Sequence, residues 1–316
     1  MEKEGFIKYL QSKDFAQSTQ EECLLKIKLF FQWVGKEDVQ VTKPDVLKFL
    51  EYLKNKGLQN VTRQFYLNAL NHYFTMLYQA EKIAKNPCLF LKIRGIQRKK
   101  LYKIYTPEEL EQIFDAYEQL FVRNYNYNNN LSKNCIRQSV FSRERNALIL
   151  SILINQGIST SEIEKIELND IDFSKATIKI RGGKMLKDRV LQLKATQIGL
   201  FMKYLQKTRP QLLEYQKIES EKLFVLLPAP RKRKAEDGSL TSIFRHLASQ
   251  VKSIDKQFIN FLQVRASVIT FWLKTQGLRK TQYLAGHRHI SNTEMYVNNN
   301  LDGLIDDINK LHPFDF

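Results

Sequence analysis

Three side chains near the C-terminus have types and a spacing that can support covalent chemistry. The segment Leu284–Tyr296 contains His287 directly after a glycine, Tyr296 nine residues later, and Thr293 three residues before that tyrosine. A phenol oxygen can act as a nucleophile that forms a covalent intermediate. Because the pKa of a free tyrosine is about 10, the phenol needs nearby cations to lose its proton at neutral pH. Alone, such a tyrosine is usually a packing residue and such a histidine a helix cap.

Two cationic side chains further upstream are of the kind that binds phosphate. Arg265 lies 22 residues before His287 in an apolar stretch, and Lys184 lies in the segment Gly183–Leu193. A guanidinium can bind two phosphate oxygens in a fork geometry, whereas a lysine ammonium can supply a proton. The structural alternatives are a buried salt bridge for the arginine and an ordinary turn lysine for Lys184.

Together these segments resemble the signature of the tyrosine recombinase (integrase) family, in the same order and spacing, and Gln156–Ile163 resembles the turn and helix of its first motif. The resemblance implies that Tyr296 attacks a DNA phosphate and forms a 3′-phosphotyrosine, so that strand cleavage and rejoining need no metal, ATP or other cofactor. It also implies that Arg265 binds a non-bridging oxygen and that Lys184 protonates the leaving 5′ oxygen. His287 would donate a hydrogen bond or shuttle a proton.

Two positions depart from the family pattern. Ser159 stands where the family has its first catalytic arginine, and Leu262 stands where it has a histidine. Loss of one preorganised donor costs on the order of 10²–10³ in rate. One hypothesis is that another cation replaces the missing charge, with Arg181 as the preferred candidate and Arg143 or Arg145 next. The other is that the chain has lost catalysis and acts as a DNA-binding partner of an active recombinase.

The first hundred residues contain start and stop signals for helices that are joined by short loops. Ser18 with Glu21 predicts a capping box that opens a helix over 20–34. Thr42 predicts the cap of a second helix, which stops at Gly57, and a third, longer helix follows. This set of helices resembles the core-binding (SAM-like) domain of the family.

The rest of the chain has a mixed pattern. Thr106, Pro107 and Glu109 predict the start of a new helix, and β-rich runs at 176–180 and 189–193 predict a hairpin. The predicted fold class is therefore mainly α with a small β-hairpin or three-stranded sheet. The predicted boundaries are an N-terminal helical core-binding DNA domain over 1–93, a basic linker over 94–103 and a C-terminal tyrosine-recombinase catalytic domain over 104–316.

The composition favours a polyanionic partner. The chain has 50 Lys and Arg against 33 Asp and Glu, a formal net charge of +17. Such an excess repels itself in a folded protein and is typical of proteins that bind nucleic acid. The linker cations are predicted to lie along a DNA backbone, although a plain linker is the alternative: Arg94, Arg98, Lys99, Lys100 and Lys103. The basic segment Pro228–Gly238 is interpreted as a solvated or DNA-facing loop.

Several other classes of protein are disfavoured. No stretch of roughly 18 uncharged apolar residues is present, which argues against a membrane span. The charged N-terminus leads into no apolar segment, which favours a cytoplasmic protein over a secreted one. Cys23, Cys88 and Cys135 are widely spaced. They indicate small buried fillers in a reduced compartment, with neither a disulfide framework nor a zinc site.

The resemblance also implies an assembly. Recombination needs four protomers on two double-stranded DNA sites, whereas the free chain would be a monomer or weak oligomer, and an accessory recombinase or a host DNA-bending protein could assist. The apolar stripe within Leu301–Phe316 would pack on its own domain or on a neighbouring subunit. The competing interpretations are a non-enzymatic DNA-binding factor and a topoisomerase-like enzyme. A mobile genetic element would favour recombination over both.

Overall fold

The chain folds into two compact units that divide between residues 100 and 101. The computed structural model describes residues 2–96, 103–124, 133–183, 186–216, 219–226 and 240–297. These residues are mainly helical, with one small antiparallel sheet, so the predicted fold class is confirmed. The division lies within the predicted basic linker, and the DNA-binding role of the first unit stays a prediction. Among the described residues, no helix is long and apolar enough to cross a membrane.

Four α-helices form most of the described part of the first unit. Its apolar core is rich in aromatic side chains, and Phe30 contacts Phe49 and Phe74 edge-on. The helices are α1 (Lys3–Ser12), α2 (Gln17–Val34), α3 (Lys43–Asn55) and α4 (Asn60–Gln79).

One predicted helix start in this unit is right and one is wrong. Thr42 caps α3 together with Asp45, whose carboxylate accepts hydrogen bonds from both the amide and the hydroxyl of Thr42. The capping box predicted at Ser18 does not form. The backbone amide of Gln20 already donates to the carbonyl of Ala16, so the first turn of α2 closes upstream of Ser18.

The second unit has one large apolar core, to which both the sheet and most of the helices contribute. The predicted capping box of Thr106 and Glu109 is present at the start of its first helix. The helices are α5 (Pro107–Tyr117), α6 (Lys133–Gln156), α7 (Thr160–Ile163), α8 (Ala195–Lys203), α9 (Arg209–Gln216), α10 (Thr241–Ile254), α11 (Phe261–Ala285) and α12 (Ser291–Glu294).

The sheet has the order β1 (Ile171–Asp172), β2 (Thr177–Ile180) and β3 (Arg189–Gln192), all antiparallel. Ile178 pairs with Leu191, and both are buried, as the alternation of side chains along a strand requires. The same alternation turns Arg189 inward, where it is 3% exposed, and leaves Val190 at 47% exposure. A charged side chain therefore enters the interior at the start of β3.

Candidate active site

The side chain of Arg265 lies at the centre of a buried polar cluster in the second unit. It belongs to α11, which begins where the Asn260 side chain accepts a hydrogen bond from the Gln263 amide. One guanidinium nitrogen donates to the carbonyl oxygen of Gly157 at 2.7 Å and another to that of Ala285 at 2.9 Å. These bonds join α11 to the end of α6 and hold the arginine head group in one orientation.

Gly157 makes this approach possible. It ends α6 with a φ of 55°, a left-handed conformation that other residues rarely adopt. A Cβ atom at this position would lie 2.7 Å from a side-chain carbon of Val268 on α11. This glycine therefore also allows α6 and α11 to pack closely beside Arg265.

Glu162 on α7 is the buried anion of the cluster. Its carboxylate accepts a hydrogen bond from the backbone amide of Ser159 at 2.8 Å. It also forms ion pairs with Arg189 at 2.6 Å and with Arg265 at 3.3 Å. Burial would raise the pKa of this carboxyl group, but the charge and hydrogen bond of Arg189 and the charge of Arg265 outweigh it and lower the pKa. Glu162 therefore stays ionised and aligns both arginines.

Arg189, like Glu162, belongs to the cluster although the sequence did not predict it as a site residue. Its Nε atom donates to the carbonyl oxygen of Leu284 at 2.7 Å, while its Nη2 atom is buried and finds no hydrogen-bond partner among the described residues. Gly286, with a φ of 75°, is required beside it, because a Cβ atom there would lie 2.5 Å from the guanidinium. The hairpin thus supplies a second buried cation, and the turn after α11 is shaped around it.

His287 and Tyr296 complete the cluster. The Nδ1 atom of His287 lies 2.9 Å from the hydroxyl of Thr293, and its Nε2 atom lies 3.5 Å from Arg265. The His287 ring stacks on the half-buried ring of Tyr296, with centroids 5.9 Å apart. Burial, followed by the charges of Arg265 and Arg189, lowers the pKa of His287 to about 4, so the imidazole is neutral at pH 7.

The neutral state of His287 predicts a loss of stability in acid. Its pKa is about 4 in the folded chain and 6.5 in the unfolded chain, so between these values the unfolded state binds a proton that the folded state does not. The free energy of unfolding should therefore fall as the pH is lowered from about 6.5 towards 4. Urea unfolding of the wild type and of His287→Gln at a series of pH values checks this, and the variant should lose less stability across that window. Parallel curves would contradict the prediction.

Other sequence-predicted site residues lie elsewhere. Arg181 pairs with Glu167 at 2.6 Å and Asp170 at 3.1 Å, and none of its contacts reaches Arg265, His287 or Tyr296. Leu262 is 60% exposed on the first turn of α11, where it offers no polar atom to the cluster.

Lys184 lies outside the described residues. Its neighbours in the hairpin approach the cluster, because Leu186 forms a β-bridge with His287 and the Lys187 amide donates to the carbonyl of Gly286 at 2.8 Å. The hairpin therefore lies alongside the turn that carries the histidine.

The predicted linker cations fall partly within the described chain. Arg94 is exposed, and Lys103 forms an ion pair with Glu109 at 2.9 Å. The others, Arg98, Lys99 and Lys100, lie outside the described residues, as do the segments 228–238 and 301–316.

Comparison with known proteins gives the family. Residues 104–302 match the phage integrase family, and this chain belongs to it as a tyrosine recombinase family member. The chain is 28% identical to the tyrosine recombinase XerC of Anoxybacillus flavithermus, covering 95% of this chain and 93% of that one. It is 27% identical to the tyrosine recombinase XerA of Pyrococcus horikoshii, and the match covers 93% of this chain and 87% of that one.

Several solved structures of recombinases and integrases bound to DNA share the fold. One is the XerH recombinase bound to a palindromic difH substrate, with a TM-score of 0.63, 19% identity and coverage of 90% and 76%. Another is the Tn1549 transposon integrase in complex with a circular intermediate DNA. Its TM-score is 0.61, its identity is 15%, and the match covers 98% of this chain and 99% of that one. A third is a lambda integrase tetramer bound to a Holliday junction. Its TM-score is 0.60, its identity is 15%, and the match covers 92% of this chain and 74% of that one.

Proposed function

We propose that this chain is an active site-specific DNA recombinase that cleaves and rejoins strands through Tyr296. The observation that carries the proposal is the convergence of Arg265, His287 and Tyr296, from two different segments, around the buried Glu162. A purely architectural DNA-binding protein would place no demand on that arrangement.

The chemistry follows from the residue types. The Tyr296 oxygen attacks the scissile phosphorus, a bond forms between them, and the bond from phosphorus to the 5′ oxygen breaks. The 5′ oxygen leaves with a proton, which we assign to Lys184. Reversal of the same steps by another 5′ hydroxyl rejoins a strand, and the phosphotyrosine conserves the energy of the broken bond, so no ATP is consumed.

The electrostatics of the cluster suit this reaction. Arg265 presents a guanidinium whose orientation is set by the carbonyls of Gly157 and Ala285, which favours binding to a non-bridging phosphate oxygen. Burial lowers the pKa of Arg265, whereas the charges of Glu162 and Tyr296 act in the opposite direction. Proximity of a cation to the phenol stabilises the phenolate that must attack. We assign the proton that the Tyr296 phenol loses to the neutral imidazole of His287, whose ring stacks on that of Tyr296, and the negative charge of a bound phosphate favours the resulting imidazolium.

We assign the replacement of the missing first arginine to Arg189 rather than to Arg181. Arg189 shares Glu162 with Arg265, whereas Arg181 is held by Glu167 and Asp170. Because Arg189 is fully buried, it acts as a positioning residue: it fixes the carboxylate that orients Arg265 and adds positive charge behind it.

A second candidate function rests on the two departures from the family pattern. The side chain of Ser159 is committed to the cap of α7, bonding to Glu162 at 2.8 Å, and Leu262 faces solvent. If Arg189 does not compensate, the chain would bind DNA as a non-enzymatic partner of an active recombinase.

The assembly is part of the proposal. Structures that share the fold include recombinases bound to DNA and a tetramer on a Holliday junction. We infer that this chain also binds double-stranded DNA and forms a homotetramer on two sites, with most of the affinity from Lys and Arg contacts to phosphates.

Covalent trapping tests the proposal. The protein is incubated with nicked suicide duplexes made from the ends of the element that carries its gene, and the expected product is an SDS-resistant protein–DNA adduct whose linked peptide contains residue 296. Salt-sensitive binding to the same duplexes without an adduct would contradict the enzyme proposal and favour the non-enzymatic partner.

A further inference from the structure

A second polar pocket lies in the same unit, between α6 and α10, and shares no residue with the cluster around Arg265. Its volume is about 260 Å³. Two arginines, one imidazole, hydroxyls and an amide line it, and no carboxylate within the described chain does. The polar lining comprises Ser139, Ser142, Arg143, Arg145 and Asn146 from α6 and Ser242 and His246 from α10.

Arg145 is a buried cation without a counter-ion among the described residues. It is 3% exposed and donates to the carbonyl of Val225 at 2.8 Å and to the side-chain oxygen of Asn146 at 3.0 and 3.2 Å. Glu144, the adjacent carboxylate in the sequence, is engaged by Lys203 and by the hydroxyl of Thr208 instead. An ionised group buried with neutral partners alone costs several kcal/mol.

Other groups add to the positive potential of the pocket. Arg143 donates to the hydroxyl of Ser139 at 3.2 Å and lies over the ring of Phe121. Burial lowers the pKa of His246, and the charges of Arg143 and Arg145 lower it further. The pocket therefore concentrates cationic charge and hydrogen-bond donors around a space that no carboxylate of the described residues lines.

We propose that this pocket binds a phosphate-type oxyanion, with Arg143 and Arg145 as its counter-charges and the hydroxyls of Ser142 and Ser242 as further hydrogen-bond donors. Its volume is several times the roughly 30 Å³ that a water molecule occupies, which leaves room for one phosphate group and water. The anion is either a DNA backbone phosphate, which rests on the proposed function, or a free phosphate, which does not.

Asn146→Asp tests the site with almost no change of shape. The new carboxylate lies where the amide oxygen already accepts two bonds from Arg145, so it supplies the missing counter-charge from within the chain. We expect the Kd for inorganic phosphate and pyrophosphate, measured by calorimetry on the full chain, to rise at least tenfold. The melting temperature without phosphate should hold or rise.

Arg245→Gln is the matched control. Arg245 is exposed on α10, does not line the pocket, and its substitution changes the net charge by the same amount. This variant should bind both anions as the wild type does. Equal phosphate affinity in Asn146→Asp and the wild type, or an equal loss in both variants, would overturn the proposal, as would a wild type that binds neither anion.

Duplex binding distinguishes the two sources. A DNA phosphate in the pocket predicts that Asn146→Asp binds the duplex more weakly than Arg245→Gln, with a salt slope smaller by about one. Equal DNA affinity in the two variants, with phosphate binding lost in Asn146→Asp alone, identifies a free anion. Phosphate binding needs no strand cleavage, so a failed trapping experiment would leave this proposal standing.

Discussion

Replacing Tyr296 with phenylalanine is expected to abolish the covalent protein–DNA adduct completely. The substitution removes the phenol oxygen that attacks the phosphorus but keeps the ring that stacks on His287. Because Tyr296 is half-buried, stability should change little. DNA affinity should also hold, since it comes mainly from cations on phosphates. Denaturing gels of the trapping reaction, together with fluorescence anisotropy of duplex binding, give both quantities.

Tyr283→Phe provides the control for this experiment. Tyr283 also lies in the C-terminal part of the second unit, on α11, and is 56% exposed. The Tyr283→Phe variant also loses one phenol hydroxyl group, and it should form the adduct at the wild-type rate. An adduct that persists in Tyr296→Phe would show that a different residue is the nucleophile, which would contradict the proposed role of Tyr296.

Replacing Arg189 with methionine is expected to produce the second-largest effect, on stability and cleavage together. Glu162 would lose its closest cation while remaining buried, and breaking a buried ion pair costs about 3–5 kcal/mol. For a unit of this size the melting temperature should fall by on the order of 10 °C. Cleavage should fall by about 10²-fold or more, because the carboxylate that orients Arg265 is no longer fixed.

A double variant separates the two effects of Arg189. Arg189→Met with Glu162→Gln removes both charges of the pair, so much of the lost stability should return. Cleavage should stay low, because the positive charge behind Arg265 is still missing. Arg181→Met is the control for cleavage, which should not change because none of the contacts of Arg181 reaches Arg265. Some stability should be lost in this control, since its partner Asp170 is buried. Wild-type cleavage by a folded double variant would show that Arg189 has no part in the reaction.

Local features of the fold could be predicted because short-range hydrogen bonds and side-chain periodicity decide them. The capping boxes at Thr42 and Thr106 depend on a carboxylate three residues later, so they are visible in the sequence. The hairpin follows from two β-rich runs around a pair of glycines. Ser18 and Glu21 have the types and spacing of a capping box, but they form no cap because the chain is already helical before them.

The composition of the candidate site was only partly visible in the sequence. The spacing of His287 and Tyr296 is a property of one continuous segment, and it places the two rings together once the turn after α11 forms. From the sequence alone, Arg181 is the favoured compensating cation because it is close to Lys184 along the chain. Closeness in sequence says nothing about the acids it meets, and Glu167 and Asp170 bind it.

The sequence by itself determined the mainly helical fold, the hairpin and the residue types that resemble a recombinase site. Tertiary structure decided which cation joins them. The alternation along β3 places Arg189 on the face of the buried Leu191, a signal that could have predicted an inward arginine. Its partner could not have been predicted in this way, because Glu162 and Leu284 are distant in the sequence and meet Arg189 only when α7, α11 and the sheet pack together.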